Sequence, residues 1–232
     1  MGISVTVTVG RRSQAERRAT TRQSLLDATI ACLTKDGYAR MSTNDVVKLA
    51  GVSRGALVHH FPTKAELAVA ALDGWLDSRI AEFEEEFATL PTNERRAPAA
   101  IDVMWTLFKG PTFAAWLDLA AASRTDKRLR SKLIVVESKF YEGVLKAFRR
   151  SFSANDEIAP FDPGVAVRFA LTVLIGAAVE RMLQPPAAGD MPESVVALKL
   201  LAAMPFNSPV IDTNFSAAPT VETSQTSQRI TA

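Results

Sequence analysis

Cysteine occurs once, at Cys32, and histidine only twice, at the adjacent positions His59 and His60. A single thiol excludes an internal disulfide framework and any multi-thiolate metal site. Neighbouring histidines on a helix point about 100° apart, so they cannot close on one metal as an i,i+4 pair does. Long apolar runs are also lacking. The stretch from Phe169 to Val179, bounded by Arg168 and Glu180, falls short of the roughly 20 residues a membrane span needs. No basic start leading into an apolar segment and a small-residue cleavage site argues for export. No glycine-rich phosphate loop follows a strand, because no convincing interior strand pattern exists. These absences predict a soluble cytoplasmic protein with no membrane association, no catalytic activity, no cofactor and no metal.

What is present has an ordinary globular balance, with 47% hydrophobic and 22% charged residues over 232 positions. The net charge of +2 conceals an asymmetry. Residues 1–64 carry ten Lys and Arg against four acids, leaving seventeen against twenty-one in the remainder. A basic amino-terminal module on an acidic body suggests that one end meets a polyanion.

Apart from a leader over residues 1–15 and a Ser/Thr-rich flexible tail over 206–232, the readable pattern is helical throughout, and the fold class expected is all-α. Leu26, Ile30 and Leu33 recur at helical spacing, and Gly37 supplies a stop. Ser42 and Asp45 have capping-box spacing for a short helix whose Val46, Leu49 and Ala50 face inward. Gly51 permits a positive-φ turn, and Ser53 can cap a second short helix from Arg54 to about His60. Pro62 ends that helix, and Thr63 with Glu66 opens a long one reaching about Leu90. Gly110 and Pro111 break the chain before a helix ending near Ser123. A stripe from Leu129 to Phe152 marks a long amphipathic helix, in which Gly143 signals close packing or a bend. Asp162 and Pro163 start a helix to about Leu183, Pro185, Pro186 and Gly189 form a loop, and a last helix covers Met191 to Met204.

Two short capped helices joined by a glycine turn, behind a basic first helix, describe a helix-turn-helix over residues 42–61. The major groove of B-DNA admits such a helix, presenting its amino-terminal residues to base edges. Gly55 and Ala56 carry almost no side chain and let backbone approach the groove wall, while Arg54 can reach a guanine as a bidentate donor. Capped helix starts expose N–H groups to phosphates, and His59, His60 and Lys64 add donors around that rim.

Residues 16–75, and particularly STNDVVKLAGVSRGALVHHFPTKAEL, resemble the DNA-binding domain of TetR-family transcriptional regulators. The Ala-Gly-Val turn, the Ser-x-Gly-Ala-Leu recognition helix, His-His-Phe-Pro and the following Lys match without a gap. The resemblance implies Thr43 on a phosphate and Asn44 near the groove edge. It aligns Arg54, Gly55 and Ala56 with base-proximal positions, and His59, His60 and Lys64 with backbone contacts. Val58 departs from the pattern, since the family commonly has Tyr there.

For residues 76–205 the resemblance implies a helical domain that binds a small-molecule effector and dimerises. Met104, Trp105, Phe108, Phe113, Trp116, Phe140 and Met182 could line a cavity, although aromatics at helical spacing usually form core. Leu171, Leu174, Gly176 and Ala177, with Val195, Leu198 and Leu201, suggest a self-complementary face for a homodimer; a buried intrachain hairpin is the alternative. The function implied is a dimeric repressor that binds a palindromic double-stranded DNA operator and is released by a largely apolar effector. A helical protein–protein adaptor and a DNA-binding dimer without effector remain the alternatives.

Overall fold

The computed structural model describes residues 13–90, 96–152, 162–183 and 191–204. Most of the leader, the tail from 205 onward and the predicted loop at Pro185, Pro186 and Gly189 lie outside them. The described residues form helices α1 (Gln14–Arg40), α2 (Thr43–Ala50), α3 (Arg54–His60), α4 (Lys64–Ala88), α5 (Arg96–Phe108), α6 (Pro111–Ser123), α7 (Lys127–Ser151), α8 (Pro163–Met182) and α9 (Glu193–Ala203), with no strand among them.

Local chemistry sets most boundaries. Ser13 and Glu16 form a capping box at the start of α1. The hydroxyls of Ser42, Ser53 and Thr63 accept from the backbone N–H three residues on, opening α2, α3 and α4. Gly51 ends α2 in the left-handed conformation at φ 65°. Gly37 interrupts α1 with φ 74° and ψ 165°, a region essentially restricted to glycine, and the helix resumes for a last turn to Arg40. The sequence expectation of a stop at Gly37 therefore becomes a kink.

Two apolar cores stack along the molecule. The first joins Leu25, Leu33, Val46, Leu57, Leu67 and Leu72 of α1–α4 to Ala115 and Leu119 of α6 and Leu129, Leu133 and Val136 of α7. The second gathers Phe83, Phe87, Trp105, Phe113, Val144, Leu174 and Val195 from α4–α9. Trp75, Trp116 and Phe140 pack against both. Cys32 is buried in the first core, where burial raises its thiol pKa, so it acts as a small hydrophobe. Gly143 marks a close approach: a Cβ there would lie 2.7 Å from Ile80 Cδ1 of α4.

Three expectations are corrected. Leu49 does not face inward but is 60% exposed, because α2 lies at the rim and only its Val46 row is covered. Helix α8 is 20 residues long and holds an 18-residue window of mean hydropathy 1.5, long and apolar enough to cross a bilayer by length and composition alone. One side of it, through Val167, Leu171, Leu174, Ala177 and Ala178, is packed into the second core. Finally, Leu171, Leu174, Ala177, Val195 and Leu198 are buried within the chain itself and cannot be the surface a second copy meets. Gly176 and Leu201 remain on the exposed side, and a Cβ on Gly176 would meet nothing within 4 Å.

Candidate nucleic-acid interface and cavity

Helix α3 rests on the first core through Leu57 and Phe61, so its other side is left to solvent. Arg54, Gly55, Val58 and His59 are exposed, and Ala56 and His60 are half-buried. Asn44, near the start of α2, is exposed beside them and accepts from Arg54 Nη1 at 3.2 Å. Thr43 is half-buried at the first position of α2. Arg54 and Asn44 thus share one exposed surface, and next to Arg54 the first turn of α3 carries only the small Gly55 and Ala56.

Lys64 is placed differently. Its Nζ donates to the Ala39 carbonyl at 3.2 Å and stands 4.7 Å from the Tyr38 ring centre, and burial lowers its pKa. It closes the last turn of α1 as well as standing at the start of α4. His60 also has a lowered pKa, from desolvation first and then from His59, Arg18 and Arg22.

Sequence spacing missed two arginines of α1 that stand beside α3. Arg18 Nη2 lies 3.4 Å from His59 Nε2, and Arg22 sits 5.5 Å from the Phe61 ring centre. Both are exposed, so α1 adds positive charge beside the carboxyl end of α3. The only signal was the basic composition of the segment. The arrangement presents a narrow, donor-rich helix flanked by guanidinium groups, which suits a duplex groove and its phosphates. Among the described residues no three His, Cys, Asp or Glu side chains gather as a metal site.

A cavity of about 130 Å³ lies where the two cores meet. Trp75 and Leu76 of α4, Leu107 and Phe108 of α5, and Phe113 and Trp116 of α6 form part of its wall. Glu137, Phe140 and Tyr141 of α7 and Arg168, Leu171, Thr172 and Ile175 of α8 complete it. Phe108, Phe113, Trp116 and Phe140 were expected there. Met104 and Trp105 are instead buried inside the second core, and Met182 is 45% exposed at the end of α8. The helical period identifies apolar positions but not which of two facing cores each one enters.

Comparison with known proteins agrees with this geometry. Residues 25–71 match the bacterial regulatory protein tetR family. A helix-turn-helix transcriptional regulator of Mycobacterium tuberculosis is 32% identical over 174 residues, covering 75% of this chain and 89% of that one. The transcriptional regulator CymR of Pseudomonas putida is 39% identical over 121 residues, 52% of this chain and 59% of CymR. The fatty acid degradation regulator FadR of Bacillus halodurans shares the fold with a TM-score of 0.63, at 13% identity, over 86% of this chain and 100% of FadR. These proteins are regulators rather than enzymes. The chain belongs to the TetR family of bacterial transcriptional regulators, with a helix-turn-helix DNA-binding domain near its amino terminus.

Proposed function

We propose that the protein is a cytoplasmic homodimeric repressor that binds a palindromic operator and leaves it when a small effector fills the cavity. The observation that carries this reading is an uncovered apolar face. Of the twelve large hydrophobic residues exposed among the described residues, eight lie on or at the ends of α8 and α9. They include Val165, Phe169, Val196, Leu200, Leu201 and Met204. Monomeric proteins rarely leave such a patch bare, and a second copy offering the same face would cover it with two-fold symmetry.

Dimerisation gives the short α3 helix its specificity. One module makes few base contacts, whereas a pair set about 34–36 Å apart reads two half-sites on successive turns. In each copy Arg54, Gly55 and Ala56 meet base edges, Thr43, His59, His60 and Lys64 track the phosphates, and Asn44 stands at the groove edge. Helix α4 spans the proposed domain boundary near residue 75, with Lys64 at its start beside α1 and Trp75 at the cavity wall. Helix α6 makes a second link, with Trp116 at the cavity and Leu119 in the first core. A ligand that favours one setting of these helices shifts the population by its differential affinity for the two states.

The test is a mobility shift on the DNA flanking the gene, with light scattering on the same sample. A dimer that prefers a palindromic fragment over random duplex supports the reading. A monomer at micromolar concentration, or equal affinity for both DNAs, overturns it.

A further inference from the structure

We propose that the cavity takes a small monocarboxylic acid built on a single ring, with the ring among the aromatic side chains and the carboxylate on the guanidinium of Arg168. This rests on reading the cavity as the effector site.

Size sets the first limit. The volume is about 130 Å³, and a dry apolar cavity of about 150 Å³ takes up one benzene. Trp116 stacks on Phe113 with ring centres 5.5 Å apart and an interplanar angle of 24°. Their faces, with Trp75 and Phe140, suit a planar ring.

Charge sets the second limit. The polar wall groups of Tyr141 and Thr172 are already engaged: the Tyr141 hydroxyl donates to the Gly164 carbonyl at 3.0 Å, and the Thr172 hydroxyl to the Arg168 carbonyl at 2.8 Å. That leaves two charged side chains, Arg168 and Glu137, both exposed where they border the cavity, and neither is paired with an opposite charge among the described residues. Arg168 lies 4.2 Å from the Tyr141 ring centre, stacked on its face, which leaves the N–H edge of the guanidinium for a bidentate acceptor. A guanidinium cannot shed its charge, so a cationic ligand meets a fixed repulsion. Glu137 opposes a second anionic group on the ligand and can accept from a ligand hydroxyl. An aromatic monoanion is the species both groups tolerate.

The experiment is tryptophan fluorescence titration of the full chain, without DNA, using benzoate, benzyl alcohol, phenyltrimethylammonium and terephthalate. Trp75 and Trp116 report directly from the cavity wall. Saturable quenching is expected with benzoate, and weaker binding with the other three. Arg168→Ala should raise the benzoate Kd about tenfold or more while leaving benzyl alcohol unchanged. Arg168→Lys should fall between, since a point charge lacks the fork. Glu137→Gln should admit terephthalate, an arm that decides the matter even if Arg168→Ala fails to fold. No saturation with benzoate at millimolar concentration, equal benzoate affinity in Arg168→Ala, or tighter binding of phenyltrimethylammonium overturns the assignment. Adding benzoate to the operator mobility shift keeps the two readings apart. Binding through Arg168 with unchanged DNA affinity supports the ligand class and removes the effector role.

Discussion

Arg54 is already engaged in the free protein, with Nη1 bonded to Asn44 Oδ1 across the turn between α2 and α3. That bond holds the side chain on the exposed face, so in the proposed complex little ordering remains for a guanine to replace Asn44 as acceptor. Arg54→Ala should therefore cost about 1–3 kcal/mol in specific binding and relax preference at one base pair, measured by competition against single-base operator variants. Undiminished preference would remove Arg54 from base recognition. Lys64 behaves otherwise. From the sequence it is a phosphate donor whose loss lowers the salt slope by about one. With its ammonium on the Ala39 carbonyl and the Tyr38 ring, Lys64→Ala should also lower the melting temperature by about 2–4 °C, as a loss of about 1 kcal/mol does in a chain of this size. Thermal melts and salt titrations of one preparation separate the two roles. The placement of the proposed DNA-facing residues was legible because they lie within a continuous 22-residue stretch whose caps and turn set their local geometry. Arg18 and Arg22 were not, since only packing of α1 on α3 brings residue 18 beside residue 59.

Among the elements, caps and glycine turns were readable because their hydrogen bonds close within three or four residues. Ser42, Ser53, Thr63 and Asp162 all cap where the sequence placed them. Gly37 carries more than a stop. Its backbone lies where a Cβ would be strained, and that Cβ would strike the Asp118 carboxylate of α6. Gly37→Ala should destabilise the protein by about 1–3 kcal/mol, the usual cost of such a backbone conformation, read from chemical denaturation. Adding Asp118→Ala should recover only the steric part. Complete recovery would mean that the backbone is not strained. The inner and outer faces of α8 and α9 were illegible for a different reason. Both helices are apolar nearly all round, so periodicity offers no direction, and contact with α5 and α7 decides it.

For the whole molecule, the proposed dimer assigns the exposed rows of α8 and α9 to assembly and leaves the buried rows to folding. Leu200, 62% exposed, and Leu198, 5% exposed, stand two positions apart on α9. Leu200→Glu should yield a folded monomer by light scattering, with operator affinity reduced about a hundredfold or more as the second half-site contact is lost. Leu198→Ala should leave the dimer intact and lower stability by about 2–5 kcal/mol. A Leu200→Glu protein that remains dimeric would place the interface elsewhere.

The sequence by itself determined the helical class, the capped helix-turn-helix and the charge that suits it to DNA. Each of these depends on neighbours a few residues apart or on composition. Which side of an apolar helix is buried, where the cavity opens and which charges stand at its wall were decided only by the tertiary structure. Those properties arise when distant helices compete for the same two cores, and no local period records the outcome of that competition.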